Sequence, residues 1–423
     1  TCVQLELLAD TAGRGEHLEA IVDPADPDAR PAPRPDLRRM LVPIGPVAVF
    51  GASNFPLAFG VAGGDAASAL AAGCPVLVKG HPCHPGTGEL VAAELAAALA
   101  QAGLPAGTFA HLLSAGHEVG VALVEHPDVR AVAFTGSRRG GRALMDRAAA
   151  RPAPIPVFAE MGSLNPLVVT EAALDARGEA IAEGLVASVC TFGGQLCTKP
   201  GIVFVPATDA GDAFAAELAG AFEQREPEVM LSGAIRDAFA AGIARAAALE
   251  GAELVAGAAA GDEPPGFRSR PVVLRTWADR IGAPGMDALA EEHFGPGVVL
   301  ARYGAPGEVV AALERLGGQL TGTLHAQPGE PGARELWDAL TRVAGRVVFD
   351  GFPTGVSVTW AMQHGGPYPS SSDGAHTSVG PTAMRRFLRP VALQSAPAEL
   401  LPAALRDGNP LGLARREDGV LRP

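Results

Sequence analysis

Val47-Ala-Val-Phe-Gly-Ala-Ser-Asn-Phe-Pro56 opens with four apolar residues and closes on a glycine turn, a carboxamide and a proline. Such an apolar run fits a short strand buried on both faces, and Gly51 to Pro56 fits the loop that leaves it. Outward from here the pattern repeats. Phe59 to Ala72, dense in small residues, reads as a helix, and Pro75-Val-Leu-Val78 as the next strand. Gly86 to Gln101 reads as a helix with Leu90, Val91, Leu95 and Leu99 inward, and His117 to Glu125 as another. Val129 to Phe134 is a strand that runs into Thr135-Gly-Ser137. Short apolar strands alternating with longer helices are the mark of βαβ units around a parallel sheet, which bind ligands at the carboxyl ends of their strands.

A second alternating set follows. Val157-Phe158, Leu167-Val-Val169, Ile202-Val-Phe-Val205, Pro271-Val-Val-Leu274, Val298-Val-Leu300 and Val347-Val-Phe349 read as strands. Glu179 to Thr191, Ala213 to Glu223 and Ala234 to Ala248 read as helices, the first with Ile181, Leu185, Val186 and Val189 inward. Residues 22–36 read as an extended connector, Ala256 to Gly266 as a surface loop, and Gly351 to Ser378 as a long functional loop without periodicity.

Composition sets the outer limits. A chain of 423 residues, 48% hydrophobic and 19% charged, has ample material for large cores and none of the marks of disorder. Its net charge is −13, and no block of Lys or Arg exists to neutralise phosphates in bulk, so nucleic acid is not an expected partner. No apolar run approaches the about 20 residues a membrane span needs. Five cysteines without paired spacing suit a reducing cytoplasm. Of 33 basic residues only Lys79 and Lys199 are lysines, and Asn occurs only at 54, 165 and 409. Where nearly every ammonium has become a guanidinium, a remaining Lys is expected to do what a planar fork cannot. Lys79, Lys199, Asn54 and Asn165 are thereby singled out before any motif is considered.

Cys197, in Gly193-Gly-Gln-Leu-Cys-Thr-Lys-Pro-Gly201, follows a helix and has Lys199 two residues on. Positive charge nearby would populate its thiolate, while taken alone it reads equally as a buried cysteine at a turn. Cys190 and Cys74 read as packing. Glu160 ends a strand before Met161-Gly-Ser-Leu-Asn-Pro166, where partial burial would raise its pKa towards use as a general base; the plain alternative is an exposed turn residue. Asn54 is a neutral donor suited to an oxyanion, or an Asn that simply ends a strand. Phe134-Thr-Gly-Ser137 can offer backbone N–H groups to a pyrophosphate, or be an ordinary strand-to-helix turn. Ten histidines, among them His81, His84, His364 and His376, lack metal-ligand spacing and read as structural or loop residues, so no metal is expected.

Taken together, Gly51-Ala-Ser-Asn-Phe-Pro56, Val78-Lys79, Phe134-Thr-Gly-Ser137, Glu160-Met-Gly162, Gly194-Gln-Leu-Cys197 and Glu291-Glu-His-Phe-Gly-Pro296 resemble the aldehyde dehydrogenase superfamily, from about Asp10 to Gln394. Phe352-Pro-Thr-Gly-Val356, His364-Gly-Gly-Pro-Tyr-Pro369 and Thr377-Ser-Val-Gly380 resemble its branch of α-ketoglutaric semialdehyde (2,5-dioxopentanoate) and NADP-linked fatty aldehyde dehydrogenases. Roughly a hundred N-terminal residues of the family pattern have no counterpart.

The resemblance implies an α/β fold. A Rossmann-type cofactor domain (1–160) would carry an arm segment near 38–45, followed by an α/β catalytic domain (161–375). A C-terminal segment (376–423) would supply an oligomerisation strand near Arg389–Gln394, giving a homodimer or homotetramer. It implies Cys197 as nucleophile, Glu160 as base for the deacylating water, and Asn54 with the Cys197 N–H as oxyanion hole. Lys79 would hold the adenosine ribose, Ser137 with Gly136 the pyrophosphate, and Glu292 with Phe294 the nicotinamide end. Asn165 would brace the turn after Glu160, and Lys199 would support the loop of Cys197.

The implied reaction is oxidation of 2,5-dioxopentanoate to 2-oxoglutarate. NADP is expected ahead of NAD, because Pro82 stands where NAD-specific relatives place a carboxylate and His81 or His117 lies near Lys79. Arg385, Arg386 and Arg389 are close enough in sequence to offer a guanidinium to a distal carboxylate. Rival readings are a long-chain aldehyde substrate, a CoA-acylating enzyme, and an inactive binding protein; relatives of the CoA type lack a carboxylate at the place of Glu160.

Overall fold

The computed structural model describes residues 1–257 and 265–422. Among them the larger strands form three sheets, and the site lies where two of these meet. The first is wholly parallel, with strands Phe109–Leu112, Val76–Lys79, Val47–Phe50, Ala131–Thr135 and Val157–Glu160 side by side in that order. Chain order reverses on either side of Val47–Phe50, so the loop Gly51–Pro56 leaves the sheet at its topological switch point, where such sheets bind ligands. Val47, Ala48, Val49, Val76, Val78, Ala131, Val132 and Ala133 are buried, as a parallel sheet covered on both faces requires.

The second sheet orders Glu253–Ala256, Val272–Trp277, Gly297–Tyr303, Ile202–Pro206, Leu167–Val169, Gln319–His325 and Ala344–Phe349. All its neighbours are parallel except the first pair. Its two faces carry separate cores, one around Phe204, Leu274 and Leu340, the other around Leu185, Leu218 and Phe222. The third sheet draws strands from both ends of the chain: Ile21–Asp23 and Leu37–Pro43 join Leu388–Gln394, Arg415–Glu417 and Val420–Arg422.

Several sequence expectations need correction. The helix expected from Phe59 begins only at Gly64 and ends at Ala71, because Gly60 and Gly63 press against the Pro56 and Ala58 carbonyls in a packed turn with no room for a Cβ. In Pro85–Gln101 Leu90 is exposed rather than inward; Gly88 and Ala92 are the buried residues, with Val91 packed partly buried beside them and Leu95 and Leu99 partly buried. The helix read from Glu179 starts at Glu171 and bends at Arg177, which leaves helical geometry to reach the Ala326 carbonyl and Asp350. The buried strand Gln319–His325 and the helices Pro306–Leu316 and Ala333–Val343 went unread, since Gln, Thr, Gly and His interrupt that strand's apolar pattern. The loop expected at Ala256 to Gly266 falls largely outside the described residues.

The three arginines offered for a distal carboxylate are engaged elsewhere. Arg385 pairs with Glu19 at 2.6 Å, and Arg389 is exposed on the edge strand Leu388–Gln394. Arg386 is buried, donating to Asp65 at 2.7 Å and to the Ala383 carbonyl. This pair fastens the start of Gly64–Ala71 to the segment that follows Gly380. Arg386→Leu alone strands a buried carboxylate and is expected to lower stability by about 3–5 kcal/mol, most of it recovered when Asp65→Leu is added. Urea unfolding of the single and double variants checks this.

Candidate active site

Glu160 is the last residue of the last parallel strand, buried to 5% exposure. The chain returns across that strand at 370–372: Met161 N–H donates to the Ser370 carbonyl at 2.7 Å and Ala159 N–H to Ser372 Oγ at 2.8 Å. On its far side Gly136 N–H donates to the Glu160 carbonyl. The carboxylate is clamped as firmly as the backbone. Ser378 Oγ donates to Oε2 at 2.7 Å, and Oε1 lies 3.0 Å from His364 Nε2 without being aligned for a hydrogen bond with it.

Cys197 is half-buried in the loop between the helix Glu171–Cys190 and the strand Ile202–Pro206. Phe192, Gly193 and Gly194 have φ between 52° and 66°, which turns the chain back into the cleft. Its Sγ lies 3.4 Å from His364 Nε2, so thiol, imidazole and carboxylate converge from residues 160, 197 and 364, with their polar atoms within 4.8 Å of one another. His364 was read among the structural or loop histidines; it joins Cys197 to Glu160. Thr377 and Ser378 tie its backbone in place, and Phe59 packs beside its ring. Phe55 bridges Phe59 to the exposed Phe192, an aromatic line from the surface to His364.

The electrostatics depart from the sequence expectation at two points. Burial pushes the Glu160 carboxyl up, but His364 and the Ser378 hydroxyl outweigh it, so its pKa lies below the ordinary value rather than above. The Cys197 thiol is pushed well up by burial, by the nearby Glu160 carboxylate, and by Glu292. Lys199 does not face the thiol. Its ammonium, buried and lowered to about 8 by desolvation, donates to the carbonyls of His293 at 3.0 Å and Gly297 at 2.8 Å. Lys199 therefore fixes the segment carrying Glu292. Desolvation raises the Glu292 carboxyl to about 7, and its Oε2 rests so close over Gly162 that a Cβ there would meet it at 2.5 Å.

Asn165 braces more than the turn after Glu160. Fully buried, it donates from Nδ2 to the carbonyls of Cys197 at 2.8 Å and Lys199 at 2.9 Å, while Oδ1 accepts from Ser163 and from the Thr321 N–H and hydroxyl. Asn54 Nδ2 donates to the Gln195 carbonyl at 2.8 Å, two residues before the thiol.

The expected cofactor residues lie along the carboxyl edge of the parallel sheet. Lys79 ends its strand half-buried, lowered by desolvation and without a hydrogen-bond or ion-pair partner among the described residues. His81, beside it, is pushed down to about 4 by burial, by His84 and by Lys79, and is neutral at pH 7. Ser137 caps the helix Arg138–Ala149, accepting from Gly140 N–H, with Gly136 exposed before it. Phe294 is half-buried in the segment that Lys199 holds.

A family model described as the aldehyde dehydrogenase family matches residues 14–383. The chain is 49% identical over 421 residues to alpha-ketoglutaric semialdehyde dehydrogenase 2 of Azospirillum brasilense, covering 99% of this chain and 79% of that one. It is 44% identical over 424 residues to alpha-ketoglutaric semialdehyde dehydrogenase of Acinetobacter baylyi, with the same coverage of 99% and 79%. Among solved structures, a Thermus 1-pyrroline-5-carboxylate dehydrogenase with bound NAD is similar in fold at a TM-score of 0.71 and 24% identity, covering 86% of this chain and 69% of that one. No helix among the described residues is long and apolar enough to cross a membrane.

Asn165→Ala would leave the Cys197 and Lys199 carbonyls and the Thr321 N–H without their partner, at about 1–3 kcal/mol for each buried group left unsatisfied. Urea unfolding should show a loss of at least about 3 kcal/mol. The rate of Cys197 alkylation should change with it, while that of exposed Cys83 should not.

Proposed function

The chain belongs to the aldehyde dehydrogenase family, and from that membership we propose that it oxidises 2,5-dioxopentanoate to 2-oxoglutarate with NAD(P)+ through a thioester on Cys197. The observation that carries this reading is the convergence of Cys197, His364 and Glu160, backed by relatives that bear the alpha-ketoglutaric semialdehyde dehydrogenase name over nearly the whole chain.

The chemistry follows from the placement. A buried thiol beside two carboxylates rests protonated, so it needs a base at the moment of attack. His364 Nε2 takes that proton, and Glu160, 3.0 Å away, stabilises the imidazolium. Sulfur adds to the aldehyde carbon. The oxyanion meets the second N–H of Asn54 and the backbone N–H of Cys197, neutral donors that do not hold the thiolate in reserve. A bound nicotinamide supplies the hydride acceptor that turns the thiohemiacetal into a thioester. Glu160, ionised and with Oε1 free of an aligned donor, then orients water towards the thioester carbonyl and takes its proton. The acid leaves and Cys197 is restored.

The carboxyl edge of the parallel sheet suits such a cofactor, because a half-buried ammonium without a partner and a capped helix N-terminus both favour anionic groups. Lys79 would hold the adenosine ribose, Gly136 and Ser137 the pyrophosphate, and Glu292 and Phe294 the nicotinamide end. NADP is preferred to NAD in this reading: Lys79 brings the charge, Pro82 brings no carboxylate, and neutral His81 can only hydrogen-bond. The division into cofactor domain (1–160), catalytic domain (161–375) and C-terminal segment (376–423) belongs to the same reading. So does a homodimer or homotetramer, built by pairing through the edge strand Leu388–Gln394.

For the distal carboxylate the reading turns to Arg346. It is half-buried, with its pKa lowered by desolvation, and donates to the carbonyls of Pro353 and Gly355 in the loop beside the cleft.

Two experiments test the proposal. In rapid mixing, Cys197→Ala should give neither burst nor turnover. Glu160→Gln should keep a burst of reduced cofactor near one per site while turnover falls about 100-fold or more. A stoichiometric burst from Cys197→Ala ends the nucleophile assignment. In steady state, kcat/KM should be highest for 2,5-dioxopentanoate with NADP, above succinate semialdehyde and decanal. Arg346→Met should cut the preference for 2,5-dioxopentanoate over uncharged hexanal about tenfold, near 1.4 kcal/mol, and Arg346→Lys should largely keep it. A clear preference for decanal, or for NAD by tenfold, overturns the corresponding part.

A further inference from the structure

The three side chains that converge in the cleft are also a set of metal donors. Cys197 Sγ, His364 Nε2 and Glu160 Oε1 come from three separate segments, with Sγ 3.4 Å and Oε1 3.0 Å from Nε2. A tetrahedral zinc ion, with bonds of about 2.3 Å to sulfur and about 2.0 Å to nitrogen and oxygen, spans edges of about 3.5 Å (S to N) and about 3.3 Å (N to O). The two distances present, 3.4 and 3.0 Å, fall short of these by about 0.1 and 0.3 Å, and sulfur and oxygen lie within 4.8 Å of one another, so side-chain rotation can close the set around an ion.

The donors are already held in this arrangement. Ser378 fixes Glu160 through its other oxygen, which leaves Oε1 without an aligned hydrogen-bond donor although it is buried. Thr377 fixes the His364 backbone, and Asn165 fixes that of Cys197. Glu160 and His364 are nearly closed to solvent, while Cys197 is only partly buried, so a metal would enter from the side of Cys197. One thiolate, one imidazole and one carboxylate select a borderline-soft ion such as Zn2+ over Mg2+ or Ca2+.

We propose that Cys197, His364 and Glu160 form an inhibitory zinc site in the resting enzyme. On binding, the S–H bond breaks, its proton passes to solvent, and sulfur, Nε2 and Oε1 each donate a lone pair to the ion with no change of oxidation state. The nucleophile is then masked until a chelator removes the metal. Binding rests on the geometry alone, whereas the inhibitory consequence rests on Cys197 being the nucleophile.

The experiment uses the full chain, stripped of metal and without cofactor. Zinc affinity is measured by competition with a chromophoric chelator, and Co2+ serves as a spectroscopic probe. The wild type should bind one tight equivalent of zinc, and the cobalt form should show tetrahedral ligand-field bands with one thiolate-to-cobalt charge-transfer band. Octahedral cobalt without that band overturns the proposal and needs no variant.

Cys197→Ala should lose the tight equivalent. His364→Asn and Glu160→Gln should each weaken it by at least about tenfold, the least that even an outer partner of a metal ligand is worth. A Cys2→Ser, Cys83→Ser double variant should bind as the wild type does. Unchanged affinity in both His364→Asn and Glu160→Gln would mean that a lone thiol holds the ion, and the proposal falls. Zinc should also abolish wild-type aldehyde oxidation, with recovery on adding chelator. Tight three-residue binding with undiminished turnover would overturn the inhibitory assignment and the nucleophile reading together, while leaving the metal-binding geometry measured in its own right.

Discussion

The buried carboxamide of Asn165 is the contact on which the cleft depends. It sits in the left-handed region at φ 47°, in the turn between the last strand of the parallel sheet and the first strand of the second sheet. From there it reaches the carbonyls on both sides of Thr198 and accepts three hydrogen bonds. The turn that begins at Glu160, the loop of Cys197 and the strand Gln319–His325 are therefore set by one side chain. No charged group could replace it, because the interior there supplies both donors and acceptors and an ion would satisfy only one kind. The spacing of thiol and carboxylate follows from that saturation rather than from either reacting group.

Lys199 acts on the opposite wall in the same manner. A compact ammonium fits between the His293 and Gly297 carbonyls, where a planar guanidinium would demand a fork of acceptors. The segment so held brings Glu292 over Gly162, beside the turn that Asn165 shapes. Burial and the Lys199 charge act in opposite directions on Glu292, and its carboxyl settles near neutrality, at about 7. One wall thus presents a nearly neutral acid and the other an ionised one, Glu160, whose pKa is held down by its partners. The two carboxyl groups shift in opposite directions because one has an imidazole and a hydroxyl that outweigh its burial, whereas for the other burial outweighs the Lys199 charge and a backbone hydrogen bond at Ser163.

Scarcity in the sequence singled out Lys79, Lys199, Asn54 and Asn165 alike. Three of the four, Asn54, Asn165 and Lys199, turn out to hold backbone carbonyls, and only Lys79 is left without a partner among the described residues. His364 was expected only as part of a loop shaping the aldehyde pocket, and Ser378 drew no role of its own. One histidine among ten carries no signal of its own, and a serine's worth depends on which oxygen it meets. The parallel sheet was legible from strand length and alternation around Val47–Phe50. The strand Gln319–His325 was not, since Gln319, Thr321 and Thr323 break the apolar pattern yet are buried, Gln319 and Thr321 bonding to Asn165 and the Ser163 turn.

The arginines make the converse case. Nearness in sequence suggested that Arg385, Arg386 and Arg389 share a site, but the first two sit on adjacent positions of the short 3-10 turn Pro381–Phe387, about a third of a turn apart, and the third lies beyond it in the strand Leu388–Gln394. One lands on the surface beside Glu19, one in the core against Asp65, and one on a sheet edge. Arg346, about forty residues earlier, lies in the edge strand Ala344–Phe349 of the second sheet and reaches across to the loop that follows it. Charge in this chain is abundant and mostly solvated, so its position in sequence says little about its target. What locates a buried charge here is a polar partner that only the fold can deliver, and for Arg346 that partner is the pair of carbonyls at Pro353 and Gly355.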